Sequence, residues 1–160
     1  MDIEKAKSVA KQYGEKWSVK VETLEVFERT PLWYFPFKTS AYFFSFKNDF
    51  GEGEVIVSTS KYTVTMFSFI PFNLEVEMLP LWVAFPQFNF LTSGWRQSYG
   101  ESYSIRWHEF FDDLPLSKKE EYAKQYKPPI DPDLGWGSFY EMQNEDYSDI
   151  DPVMNVIFKP

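Results

Sequence analysis

Cysteine is absent from the 160 residues, so neither a disulfide nor a thiolate metal site can form, a composition that fits a reducing compartment. No apolar stretch follows the opening MDIEKAKS, where acids and lysines are interspersed; no secretory signal is read there, and a cytoplasmic protein is expected. Uninterrupted hydrophobic runs are missing too. The most apolar region, Met66 to Leu91, contains Glu75, Glu77, Pro71, Pro80 and Pro86, which excludes a membrane-spanning helix. Nor is there a basic excess: the net charge is −8, and such a field disfavours nucleic acid and anionic membrane surfaces as partners.

What is abundant is aromatic. Phe, Tyr and Trp make up 21% of the chain, and nine of them fall between Trp33 and Phe50. A buried ring removes roughly 150–250 Å² from water, so a small sheet filled with rings can be stable with few residues. At this length the expectation is a single domain, residues 1–160, able to bury roughly two-thirds of its unfolded surface. Within it, residues 1–91 read as helix plus sheet and residues 95–160 as a helical and irregular acidic extension.

Ile3, Ala6, Val9, Ala10, Tyr13 and Trp17 recur at spacings of three and four, predicting an amphipathic helix over residues 2–16 that stops near Gly14. Val19 to Glu28 alternates and then shifts phase near Thr23, the pattern of a strand with a bulge. PLWYFPF follows, with Pro36 marking an edge or interrupted strand, and then AYFFSFK, with Tyr42, Phe44 and Phe46 on one face. NDFGEGE, with GEGE at 51–54, reads as a turn, EVIVSTS and KYTVTMFSFI as a hairpin, and LEVEM at 74–78 as a further alternating strand. LWVAF and QFNFL add apolar segments. The fold class is therefore α+β: an N-terminal helix on a curled antiparallel sheet of about five to seven strands. After it come a short helix over Ile105 to Leu114, a second over Ser117 to Tyr126 with a Ser117/Glu120 capping box, and an irregular end that Trp136, Phe139 and Tyr140 pin to the body.

Chemistry has few footholds. His108, the single histidine, faces Asp112 across one helical turn, the spacing at which a carboxylate orients an imidazole, but no serine sits in a nucleophile elbow. A hydrolase built on His108 is the weakest reading. The acids Asp131, Asp133 and Glu141 depart from the calcium-loop pattern, since Leu134 stands where a ligand belongs, so no metal and no cofactor is expected. Trp33, Tyr34, Trp82 and Trp95 are candidates for a carbohydrate platform or an apolar pocket. Charge is the stronger clue. Residues 112–160 carry 11 acids against 5 bases, whereas residues 1–111 carry 13 against 11. A basic protein partner would be steered toward that last third, where Trp136, Tyr140 and Tyr147 supply aromatic anchors among Asp131, Asp133, Glu141, Glu145, Asp146, Asp149 and Asp151.

The N-terminal helix, the bent first strand, the aromatic segment Trp33 to Phe37 and GEGEVIVSTSKYTVTMF together resemble the YrhB-like immunity proteins of bacterial toxin systems, which are cystatin-like in outline. The resemblance covers residues 1–70, and Thr59-Ser60-Lys61 stands where that family has a tight glycine turn. It implies a non-enzymatic protein that binds and neutralises a cognate toxin; the acidic charge points to a basic toxin or nuclease, and aromatic edge strands allow a monomer or a homodimer. A phage protein blocking a host defence factor and a small-ligand or carbohydrate-binding module are the alternatives.

Overall fold

A computed structural model describes residues 2–27, 40–73, 76–96 and 98–144. The chain divides into two compact units, one ending at Gln87 and the other starting at Phe88. The architecture is α+β: an N-terminal helix and an antiparallel sheet in the first unit, helices in the second.

Helix α1, Ile3–Lys16, begins where the Asp2 carboxylate accepts a hydrogen bond from the Lys5 amide at 3.1 Å, and Glu4 and Lys16 complement the helix dipole. It buries Ala6, Ala10 and Gly14 in one stripe of small side chains, so the helix lies close to what it covers. Gly14 is not the stop. The helix runs two residues further and closes with Val19 N–H on Gly14 O at 2.8 Å and Ser18 N–H on Glu15 O at 3.1 Å, with Ser18 left-handed at φ 60°. Gly14 serves close approach instead, since a Cβ there would stand 2.6 Å from Val21 Cγ2 and 2.8 Å from Val19 O.

Four strands pair antiparallel in sequence order among the described residues: β1 Glu25–Val26, β2 Ala41–Lys47, β3 Gly51–Ser58 and β4 Val64–Pro71. This is fewer than the five to seven expected. Of the strand expected over Val19 to Glu28, Glu25 and Val26 form β1 among the described residues, and Phe27 N–H extends the pairing to Phe43 O at 3.1 Å. Val19 and Val21 are buried, and Lys20 O takes its hydrogen bond from the Asn48 amide side chain at 2.8 Å. The strand expected over Trp33 to Phe37 lies outside the described residues. Val76 to Met78 form no strand, and LWVAF is a single helical turn, α2 Leu81–Ala84, following Pro80.

Of the turn expected over NDFGEGE, the GEGE part is instead the start of β3. The turn is Asn48 to Phe50, where the Asn48 carboxamide oxygen accepts from Phe50 N–H at 2.8 Å and Gly51 N–H at 3.0 Å. Gly53 sits in register between Phe46 and Phe69, whose rings stack across it 6.1 Å apart, and a Cβ at Gly53 would meet Phe46 Cζ at 2.6 Å. Phe67 joins this aromatic row to α1 through Tyr13, 5.4 Å away. The irregularity in the sheet falls not near Thr23 but between Ile56 and Val57, where the Thr65 hydroxyl donates to Ile56 O at 3.2 Å. The β3–β4 connection is tied to α1: the Tyr62 hydroxyl accepts from Asp2 N–H at 3.0 Å, and Lys5 Nζ lies 4.4 Å from the Tyr62 ring centre.

The second unit opens with a 3-10 turn, Ser93–Arg96, and helix α3, Ser98–Asp113. This helix starts seven residues before the expected Ile105. Gly100, a poor helix former, is where a Cβ would crowd the Gly94 backbone and the Phe88 ring, so packing overrides propensity. Helix α4, Leu116–Gln125, is capped by Pro115, with no side-chain cap, and the expected Ser117/Glu120 capping box is not its start because Ser117 already lies inside the first turn. Helix α5, Phe139–Asn144, occupies part of the stretch read as irregular. Among the described residues no helix is long and apolar enough to cross a membrane.

Gly14→Ala tests the close approach of α1. Alanine's helix preference favours the variant by about 1 kcal/mol, but overpacking against the Val19 backbone costs roughly 1–3 kcal/mol. The expected outcome is a net loss of stability in urea unfolding, whereas Ala6→Gly would lose stability through helix propensity and through the lost burial of its methyl group, without any overpacking.

Candidate functional site

The interior of the second unit is filled with rings, and its three indoles each donate a hydrogen bond. Trp107 and Phe111 stack at 4.8 Å, and Tyr122 and Phe139 close around Trp107 at 6.2 and 5.2 Å. The Trp107 indole N–H donates to the Tyr122 hydroxyl at 2.9 Å, the Trp95 indole to Asn89 O at 2.9 Å, and the Trp136 indole to Phe88 O at 3.3 Å. Such a partner offsets the cost of taking the polar edge of a ring out of water. Burial pushes the Tyr122 and Tyr140 phenols well above their usual pKa, so both stay neutral donors and acceptors.

From this core the acidic loop departs. Tyr126 is buried, its N–H bonds to Tyr122 O at 2.8 Å, and its carbonyl accepts from the Tyr140 hydroxyl at 2.9 Å. Lys127, Pro128, Pro129, Ile130 and Asp131 follow. A tight turn then forms, with Leu134 N–H on Asp131 O at 3.1 Å, Asp133 N–H on the Asp131 carboxylate at 3.0 Å, and Gly135 left-handed at φ 71°. The return is fixed by Phe90 N–H on Leu134 O at 2.8 Å and by Trp136.

The residues expected to meet a partner are placed unequally. Asp131, Asp133 and Glu141 are exposed and make no ion pair among the described residues. Tyr140 is half-buried, with its hydroxyl turned to Tyr126 O. Trp136 is 1% exposed; its ring fills the interior of the second unit and offers no anchor to a partner. Glu145, Asp146, Tyr147, Asp149 and Asp151 lie outside the described residues. Ile130, which the sequence did not single out, is 95% exposed. Its only signal in the sequence is the pair of prolines before it and Pro132 after it.

His108 lies on α3, half-buried, with Nδ1 2.7 Å from Ser104 O. A carbonyl can only accept, so Nδ1 carries the proton, and the helix's own backbone orients the ring where Asp112 was expected to do so. Burial lowers the His108 pKa and outweighs the opposing pull of the Ser104 carbonyl and the Asp112 charge. Ser104 Oγ is 3.4 Å from the same nitrogen, which has no lone pair to activate it. Among the described residues no group of three or more His, Cys, Asp or Glu side chains is placed to hold a metal ion. Trp82 and Trp95, two of the platform candidates, are 7% and 8% exposed, and Trp33 and Tyr34 lie outside the described residues.

Compared with family models, curated proteins and solved structures, the chain matches none.

Two measurements check this chemistry. Tyr122→Phe removes the acceptor of the Trp107 N–H and is expected to cost about 1–3 kcal/mol in denaturant unfolding. Because the His108 pKa is lower in the folded chain than in the unfolded one, the unfolded state binds its proton more readily. The stability contributed by neutral His108 is thus present above the unfolded pKa of about 6.5 and is lost as the pH falls through it. The urea midpoint is expected to drop in this range, and His108→Gln to drop less.

Proposed function

We propose that the chain is a non-enzymatic, protein-binding inhibitor acting in the cytoplasm, an immunity protein that neutralises a cognate bacterial toxin through the acidic surface of its last third. The observation that carries this reading is the pair Asp131 and Asp133, exposed carboxylates without an ion pair among the described residues, displayed on a turn fixed at both ends. Charges held that way retain their field for a partner instead of spending it internally, and a basic toxin or nuclease cleft is the complementary surface. The 11 acids against 5 bases in residues 112–160 act in the same direction, and residues 1–70 resemble YrhB-like immunity proteins. The inhibitor works as a monomer or homodimer, by occupying its target and not by turning over a substrate. Aromatic anchoring falls to Tyr140 and Tyr147, since Trp136 is interior.

Affinity purification of the full chain from its native host tests it. A basic protein is expected to co-purify, and to be lost when Glu145, Asp146 and Asp149 are together replaced by Lys. Recovery of the chain alone, or retention of the partner by the charge-reversed variant, contradicts the proposal.

A further inference from the structure

The loop from Lys127 to Leu134 combines three properties seldom found together. Its central side chain, Ile130, is 95% exposed, the most exposed of the large hydrophobic residues described. Its backbone is restrained: Pro128, Pro129 and Pro132 fix φ, Leu134 N–H closes the turn on Asp131 O, and each end enters the ring cluster at Tyr126 and at Trp136. Its charge is of one sign past the knob, with Asp131 and Asp133 exposed and outside any ion pair among the described residues. A lone exposed isoleucine on a surface is ordinary. An isoleucine in a proline-braced loop has less backbone freedom to lose on docking.

Resting on the protein-binding reading above, we propose that Ile130 is the apolar anchor of the interface. It would enter a pocket of aliphatic width on a partner protein, with Asp131 and Asp133 meeting Lys or Arg side chains on the pocket rim. Charge complementarity selects this occupant. An anionic membrane would repel two carboxylates placed beside the inserting side chain, and a second copy of this chain would bring the same acids against one another. Burying the isoleucine supplies residence time, and the two carboxylates supply steering.

The test is a titration of the full chain against the purified protein that co-purifies with it, comparing wild type with Ile130→Asp, Leu116→Asp, and Asp131→Lys combined with Asp133→Lys. Leu116 is 70% exposed in the same unit and serves as the control for an apolar residue outside the loop. The proposal expects Ile130→Asp to weaken binding roughly 10–100-fold, mainly through faster dissociation. Leu116→Asp should stay within about twofold of wild type. The double lysine variant should slow association and flatten its dependence on salt. Wild-type affinity in Ile130→Asp overturns the anchor while leaving the protein-binding reading intact. Absence of any co-purifying protein overturns both. Self-association of the chain that Ile130→Asp abolishes, seen in sedimentation, assigns the loop to a second copy and also overturns the proposal.

Discussion

Burying the polar edge of a tryptophan costs stability unless that edge is bonded, and the second unit depends on the bonds that Trp95, Trp107 and Trp136 make. The bond from the Trp107 indole to the Tyr122 hydroxyl is its centre. Tyr122 in turn receives the Tyr126 amide on its carbonyl, and Tyr126 receives the Tyr140 hydroxyl. Each of these bonds lies among stacked or tilted rings, where a lost partner could not be replaced by water without opening the packing. The series ends at the residue from which the acidic loop departs, so the same bonds that satisfy the core also fix one end of the proposed recognition loop.

The first unit meets a different constraint, that of distance. Its helix and sheet approach closely because small residues stand where larger ones would collide: Ala6, Ala10 and Gly14 on the helix, Gly53 beneath two phenylalanine rings. Aromatic bulk and glycine are complementary here, each Phe ring covering space that the glycine across from it leaves open. Stability in this unit thus comes from fit in the interior, while the net charge imbalance is carried by the other end of the chain.

Much of this was legible in the residues, and the failures share a cause. The face of α1 and the run of β2 follow from periodicity, because one side of each element meets a core and the other does not. GEGE was misread as a turn because glycine in a sequence signals either a bend or a close approach, and the deciding neighbours, Phe46 and Phe69, are remote along the chain. Met78 to Phe85 is buried throughout, so it carries no alternation by which to tell strand from helix. Gly100 hid the first turns of α3 for the same reason as Gly53 hid β3. In the candidate site, the exposure of Asp131 and Asp133 was legible from their charge. Trp136 was not, since aromatic anchors and aromatic core have the same composition, and Ile130 was passed over because its exposure follows from three-dimensional support of the loop.

The central claim is that a bonded ring cluster holds an exposed acidic loop ready for a partner before one arrives. The backbone amide of Ile130 reports on this directly in the unbound protein. An order parameter of about 0.85, as in rigid backbone, is the expected result; a value below about 0.6, with Tyr126 and Trp136 still rigid, would contradict it.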